Sequence, residues 1–321
     1  MHSCLRWLFM ALAVVVTTSH AQTRYPAKPI RLISPFPPGG STDGLARLIG
    51  QRMTESWGEP VVVENRPGAG GTLGAESVAR AAPDGHTLLL TSASAHAMGP
   101  AVRRKMPYDP IKDFAPISQV ASGYNALAVH PALPVKSVKD LLALARARPG
   151  QLTYGSGGTG TSTHISAELF KSLARVDITH VPYRGGNPLT IALLSGEISV
   201  ALGSIATVLP HMRTGRLRGL AVTGAKRTSA IDLPTIAEAG VPGYESNSWY
   251  GMLAPAATPR DIILKLSAEA VRIIKLPDTR TRIAHEGQEA AGTTADEFAA
   301  YLKSEVEKWA RVVKVAGIPI E

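Results

Sequence analysis

The segment Ile30-Arg-Leu-Ile-Ser-Pro-Phe-Pro-Pro-Gly-Gly-Ser-Thr-Asp43 decides how the rest of the chain is read. Ile30 to Ser34 is a short apolar strand. Pro35 to Thr42 is a proline- and glycine-rich loop that neither a strand nor a helix continues through. A helix pattern begins at Asp43. The same unit recurs with Val61 to Glu64, the loop Asn65 to Thr72 and a helix to about Ala81. Asp84-Gly85 turns the chain into the strand Thr87 to Thr91. Leu152 to Gly155 precedes a helix over Ser162 to Leu173, and Ile178 to Val181 precedes one from Asn187. Ser199 to Leu202 precedes a helix over Ala206 to Thr214, and Leu217 to Thr223 is a further strand. Strands alternating with helices imply an α/β fold of βαβ units and mostly parallel sheets. Ligands of such sheets sit at the carboxyl ends of the strands, where the glycine-rich loops lie here.

Two extended stretches interrupt this alternation. One is Ile117 to Ala128, broken at Gly123, and the other is Val241 to Pro255, rich in Gly, Pro and aromatic residues. They divide the chain into two lobes joined by two crossings. Residues 22–124 with 241–321 make the first lobe, and residues 125–240 the inserted second. Two crossings make a hinge, and hinge closure sequesters a ligand. Beyond them the chain is helical. Thr258-Pro259 reads as a cap with proline at the first helical position, leading into Ile262 to Ile274. Thr294-Ala-Asp-Glu297 is a capping box. Phe298, Leu302, Val306, Trp309 and Val313 behind it mark one apolar face, assigned to packing.

The first residues read as a secretory signal. Met1 to Arg6 carries one positive charge, Leu8 to Val16 is an unbroken apolar run, and Ser19-His20-Ala21 offers small residues for cleavage. The apolar run is too short for a membrane span, which takes about 20 residues. Cleavage after Ala21 leaves 300 of the 321 residues. The single cysteine, Cys4, leaves with the signal, so the exported chain has no disulfide to form and relies on an ordinary core. It also precedes the apolar run, whereas a lipid-anchoring cysteine would follow it, so a lipoprotein is not expected. The remaining 33 basic and 25 acidic residues give a net charge of +8. The basic residues are dispersed, the longest run being Arg103-Arg104-Lys105, and the sparse aromatics offer no stacking platform. Nucleic acid is therefore not the expected partner, and the basic surface favours anionic ligands.

Three loops carry the chemistry. In Pro35 to Asp43, Gly39 and Gly40 let backbone N–H groups approach a ligand. The helix start adds unpaired donors and a partial positive charge, with Ser41 or Thr42 as N-cap. A carboxylate is a fitting guest there. Asn65 to Thr72, with Ala69, Gly70 and Gly71, repeats the device. Gly155 to Ser162 adds hydroxyls. It also fits G-x-G-x-x-G at Gly155, Gly157 and Gly160, but the nearest acid, Asp177, precedes the next strand instead of ending it, so a dinucleotide site is not expected. Two such loops in one lobe and another in the second imply a cleft lined from both sides. Asp43 caps or braces its loop, and Phe36 and Tyr183 are placed to pack on a ligand.

An enzyme reading finds little support. No G-x-S-x-G elbow occurs. Ser156 and His164 are the one imaginable hydrolytic pair, and no acid is evidently placed to orient the histidine. Ser156 is read instead as a ligand hydroxyl and His164 as a support for its loop. His285-Glu286 lacks a second zinc histidine, and the nine histidines are scattered, so neither metal nor cofactor is expected. The rivals to a receptor are a secreted serine hydrolase built on Ser156 and His164, and a ligand-sensing protein for a membrane kinase.

Several motifs, in order along the chain, carry a resemblance. They are Phe36-Pro-Pro-Gly-Gly-Ser-Thr-Asp43, Asn65-Arg-Pro-Gly-Ala-Gly-Gly71, Asp84-Gly85, Gly155-Ser-Gly157 with His164, and Val181-Pro-Tyr-Arg-Gly185. Together they resemble the Bug family, the periplasmic solute receptors of tripartite tricarboxylate transporters. The resemblance implies a type II periplasmic-binding-protein fold and a monomer that hands its ligand to membrane subunits. It implies that the loop Phe36 to Asp43 and Ala69, Gly70 and Gly71 hold a ligand carboxylate, partly through ordered water. The far end of the ligand would meet Ser156, Thr159, Thr161 and Tyr183. Ser92, Gly157, Ser162, His164, Gly203 and Ser204 complete the candidate set. One departure stands out. Many members carry Phe-Asp where this chain has Leu202-Gly203, and the missing carboxylate argues against an ammonium-bearing ligand.

Overall fold

The structure is a computed structural model that describes residues 25–320; the leader expected over 1–21 lies outside the described residues. β1 (Ile30–Ser34) runs parallel to β2 (Val61–Asn65) on one side and β3 (Thr87–Ser92) on the other. Both its faces are covered, so Ile30, Leu32 and Ile33 are all buried, with Arg31 the exposed exception. Ile30 and Leu32 pack in a cluster with Leu45 and Ile49 of α1 (Ser41–Trp57). Ile33 packs on the opposite face with Ala75 and Val78 of α2 (Thr72–Ala79). After β3 comes a π-helical turn, Ser94–Met98, and one helical turn, α3 (Gly99–Ala101).

β4 (Phe114–Val129) then crosses the molecule. Beyond it follow α4 (Val138–Ala147), β5 (Thr153–Ser156), α5 (Ser162–Ala174), β6 (Thr179–Pro182) and α6 (Gly186–Ser195). Next are β7 (Val200–Ser204), α7 (Ile205–Arg213) and β8 (Arg218–Val222). β9 (Asn247–Pro255) returns, and α8 (Arg260–Lys275), α9 (Pro277–His285), β10 (Glu289–Ala290) and α10 (Ala295–Ala316) finish the chain. Among the described residues, no helix is long and apolar enough to cross a membrane.

The strand order is β2-β1-β3-β9-β4-β7-β5-β6, with β8 and β10 also paired to β4. One strand carries two sheets. Phe114 to Tyr124 of β4 pairs with β9, whereas Asn125 to Val129 pairs with β7 and β8. The sheets are mixed, which corrects the mostly parallel expectation. The βαβ pairs β1–β2, β1–β3, β5–β6 and β5–β7 are parallel. Every pairing made by β4 or β9 is antiparallel, because these strands run back across the sheets.

Three local readings shift. The stretch expected to break at Gly123 is continuous; Gly123 pairs with Ser248, and a Cβ there would stand 2.9 Å from Cε2 of Tyr250, so glycine admits the tyrosine ring. Pro259 is the N-cap of α8, not its first helical residue, and Thr258 donates its hydroxyl to Pro255 O at 2.7 Å. α4 is a helix beyond those expected from sequence; Ser137 caps it by accepting from Asp140 N, and Val138, Leu141, Leu142 and Ala145 form its buried face. The capping box at Thr294 and Glu297 forms as read, and Phe298, Leu302, Trp309 and Val313 are buried with Val306 packed against them.

Candidate functional site

The carboxyl ends of β1, β5, β6 and β7 feed helices whose first turns meet in one cleft of about 180 Å³. α1 contributes Gly40, Ser41 and Thr42; α5 contributes Thr161, Ser162 and Thr163; α6 contributes Gly185, Gly186 and Asn187; α7 contributes Ser204 and Thr207. None of these helices is capped by its own N-cap side chain. This corrects the reading of Ser41 or Thr42 as N-cap. The N-cap is Gly40, which has no side chain, and Ser41 and Thr42 are already helical. Apart from Ser162 N, which donates to Ser94 Oγ, first-turn N–H groups are left uncapped towards the cleft, each helix adding partial positive charge.

The remaining walls are Phe36, Pro37 and Pro38, the hydroxyls of Ser92, Ser94, Ser248 and Tyr250, the Asn125 amide, and Arg184. Burial pushes the Tyr250 phenol up, so it stays a protonated donor. Among the described residues, no acidic side chain lines the cleft. Hydrogen bonds cross it. Ser41 Oγ lies 2.9 Å from Ser204 Oγ, and Ser162 N donates to Ser94 Oγ at 2.8 Å.

A second cavity adjoins the first, sharing Phe36, Pro37, Gly157, Thr161, Arg184 and Gly185. Its own walls include Ala69, Gly70, Gly71, Arg103, Thr159 and Tyr183. Gly70 and Gly71 have φ of 63° and 98°, a conformation that favours glycine. A Cβ on Gly71 would also stand 2.9 Å from Ala95 Cβ and 3.0 Å from Phe36 Cζ. Tyr183 donates its hydroxyl to Glu197 at 2.7 Å, and burial with that carboxylate pushes its pKa up to about 12.

Of the residues expected from sequence, Phe36, Gly40, Ser41, Ser92, Gly157, Thr161, Ser162 and Ser204 line the cleft. Ala69, Gly70, Gly71, Thr159 and Tyr183 line the adjoining cavity. Gly39, Asp43, Ser156, His164 and Gly203 line neither. A side chain at Gly39 would meet Asn187 Nδ2 at 2.8 Å. Asp43 braces the loop from beneath, accepting from Gly39 N at 3.0 Å, Arg47 Nε at 3.0 Å and Asn65 Nδ2 at 2.9 Å. Burial alone would raise its pKa, but these bonds outweigh that and hold the carboxyl below the ordinary range. Gly203 turns inward, where a Cβ would stand 2.7 Å from Val208 Cγ1.

Ser156 is fully buried, and the histidine at its hydroxyl is His180, with Nε2 at 2.7 Å. His164 Nδ1 accepts from Gly160 N at 3.3 Å, and its ring stacks on that of His180 at 4.4 Å. Burial lowers His180 to about 4, with the neighbouring His164 adding to the effect. The group is thus a neutral imidazole that accepts or donates within the loop. Histidines that look scattered in sequence are stacked because adjacent elements, α5 and β6, bring them together. Among the described residues, no group of three or more His, Cys, Asp or Glu is placed to hold a metal ion.

Sequence reasoning missed Asn125, Arg103, Arg184, Asn187, Thr207, Ser248 and Tyr250. Gly185-Gly186-Asn187 at a helix start was the available signal for Asn187 and its neighbour Arg184. Asn125, Ser248 and Tyr250 come from the crossing strands, and nothing local marks them.

The profile of the tripartite tricarboxylate transporter family receptor, TctC, matches residues 45–318. Protein BugT of Bordetella pertussis is 35% identical over 316 residues, spanning 98% of this chain and 97% of that protein. Among solved structures, R. palustris Rpa4515 with adipate is 38% identical with a TM-score of 0.89, over 92% of this chain and 99% of that one. MatC from Rhodopseudomonas palustris with bound malate is 32% identical with a TM-score of 0.85, over 90% and 100%. The fold of these periplasmic binding proteins and the resemblance read from the motifs are both borne out.

Proposed function

The chain belongs to the tripartite tricarboxylate transporter receptor family, and from that premise we propose that it captures a small carboxylate in the cleft and delivers it, unaltered, to a membrane transporter. The observation that carries this reading is the convergence of four helix N-termini, without caps from their own N-cap side chains, on a cleft with no acidic side chain among the described residues. Such a place stabilises an anion through backbone N–H groups and aligned dipoles. The hydroxyls of Ser41, Ser92, Thr161, Ser162 and Ser204 complete the coordination, and Phe36 packs on the apolar body of the ligand. Ala69, Gly70 and Gly71 receive the part that reaches the adjoining cavity. The solved relatives with adipate and malate support a carboxylate as the guest.

Residues 22–124 with 241–321 act as one lobe and 125–240 as the other, hinged where β4 changes partner between Tyr124 and Asn125 and where the return strand β9 begins. Closure brings the Ser41 and Ser94 hydroxyls against Ser204 and Ser162. The closed surface is what the membrane subunits recognise. The protein works as a periplasmic monomer after removal of residues 1–21, without a cofactor. The fully buried Ser156 hydroxyl, held by His180, favours a loop support over a nucleophile.

The test is thermal denaturation of the unfolded and refolded protein against a panel of small carboxylates, with recovery of the bound acid. A ligand of the native state stabilises it by about 2.7 kcal/mol at a hundredfold excess over Kd. An upward shift with an acid recovered intact supports the receptor. No shift with any acid, or recovery of a cleaved product, overturns it and returns the question to hydrolysis.

A further inference from the structure

The loop that leaves β5 is tied down by side chains. Gly157 N donates to Thr163 Oγ1 at 2.8 Å, Gly158 N to Ser156 Oγ at 3.1 Å and Gly160 N to His164 Nδ1 at 3.3 Å. Gly158 and Gly160 have φ of 121° and 75°, so these bonds, and not a regular backbone conformation, set the shape of the loop. Gly157 and Thr161 carry it to the wall of the cleft.

The groups behind the loop lie on one face of the second sheet. β5 and β6 run parallel with Tyr154 opposite His180, so Tyr154, Ser156 and His180 project to the same side. α5 meets that side with His164, Glu168 and Lys171, which share one helix face. The His180 ring stacks on Tyr154 at 4.8 Å and on His164 at 4.4 Å. Glu168 accepts from the Tyr154 hydroxyl and from Lys171 Nζ, so its charge is already compensated. Tyr154, Glu168 and Lys171 are the titratable groups that face the imidazole pair among the described residues.

The directions of the hydrogen bonds fix the state of both rings. A backbone N–H only donates, so His164 Nδ1 accepts from Gly160 and its ring proton sits on Nε2. Ser156 Oγ accepts from Gly158, and among the described residues its other partner is His180 Nε2, at 2.7 Å. The serine proton therefore goes to Nε2, and the His180 ring proton sits on Nδ1. Both imidazoles hold the loop only while neutral. A proton added to His164 sets N–H against N–H at Gly160. One added to His180 leaves the proton of a fully buried hydroxyl without an acceptor, and one on each sets two cations at stacking distance.

Resting on the receptor reading above, we propose that His164 and His180 position the ligand loop as a pair of imidazole acceptors, so that ligand binding and protonation of the pair exclude each other. A loop released by protonation no longer presents Gly157 and Thr161 to the cleft. In a released loop His180 titrates near the ordinary value of about 6.5. In the held loop burial keeps it neutral down to about 4. Binding therefore releases a proton between these values, and affinity falls with pH there by up to about tenfold per unit.

NMR amide exchange in the unliganded wild type, corrected for the chemical rate, should show protection at Gly158 and Gly160 falling roughly tenfold from about pH 7.5 to about pH 5.5, while Leu89 in β3 stays protected. Calorimetric titration with adipate and with malate should show affinity falling over the same range. H180Q and H164N place a non-titrating amide acceptor where each ring nitrogen stands. They should keep the affinity measured near neutral pH and flatten its pH dependence, whereas H180F and H164L should weaken binding roughly tenfold at both pH values. The acid's own ionisation is common to all variants and cancels between them. Protection at the two glycines that does not change, or that falls in step with Leu89, overturns the proposal in the wild type alone. So does a pH dependence of affinity that is the same in H180Q and H164N as in the wild type. Binding of neither acid counts against the receptor reading, and the amide measurement then decides by itself whether the imidazoles hold the loop.

Discussion

The hydroxyls of Ser41 and Ser204, 163 residues apart in sequence, lie 2.9 Å from each other across the cleft. Ser41 begins α1 and Ser204 ends β7 as the N-cap of α7, so the bond ties two helix starts on opposite sides of the cavity. Neither hydroxyl caps its own helix. One hydroxyl donates to the other, and that bond joins the two halves.

A double-mutant cycle with Ser41→Ala and Ser204→Ala measures that tie. A neutral hydrogen bond contributes about 0.5–1.5 kcal/mol, and residues in contact couple by a similar amount. Urea unfolding should give a double variant less destabilised than the sum of the singles. Strict additivity would show that the two hydroxyls do not meet in solution.

Asp43→Asn removes the charge that holds the first loop. The carboxylate accepts from Gly39, Arg47 and Asn65, and hydrogen bonds to charged groups contribute about 1.5–3 kcal/mol, so a loss of about 2 kcal/mol at neutral pH is expected. The folded pKa lies below the ordinary value. The stabilisation is therefore complete above the unfolded pKa, about 3.9, and lost as pH falls through the lower folded value. Unfolding midpoints of wild type and variant should converge below about pH 4. A gap that stays constant with pH would contradict the assignment.

His180 acts in the same direction but in a higher pH window. Its pKa is lowered from 6.5 to about 4, so the unfolded chain binds a proton that the folded chain refuses. Stability should fall as pH drops from 6.5 towards 4. His180→Gln should flatten that slope without abolishing it, because burial also lowers His96, to about 3. Denaturant titrations across this range decide the point, and an identical slope in the variant counts against it.

Gly203→Ala tests packing, not ligand choice. The new Cβ would stand 2.7 Å from Val208 Cγ1, and overpacking of this kind costs about 1–3 kcal/mol. Val208→Ala in the same chain should recover part of the loss in melting temperature. A Gly203→Ala protein as stable as wild type would show that the strand has room there.

Much of the fold was legible because it is local. The strand-loop-helix unit at Ile30 to Asp43 follows from residue type and period alone, and Thr294 with Glu297 fixes the start of α10 without any distant partner. Asn125 and Tyr250 were not legible, since each is a strand residue until the fold turns it towards the cleft. The Gly203 position was read as a ligand contact because many family members carry the aspartate of Phe-Asp there. Strand geometry sends neighbouring side chains to opposite faces, so Ser204 meets the cleft and Gly203 meets Val208.

The sequence by itself determined the βαβ units, the glycine-rich helix starts and the family resemblance, because short-range sterics and periodicity set these. Tertiary structure alone decided which helix starts converge, that one strand serves two sheets, and that His180 rather than His164 meets Ser156 at its hydroxyl. It also decided that Arg103 and Arg184 share a cavity. Those facts depend on how strands distant in sequence are ordered across the sheets, which long-range pairing fixes and no local pattern encodes.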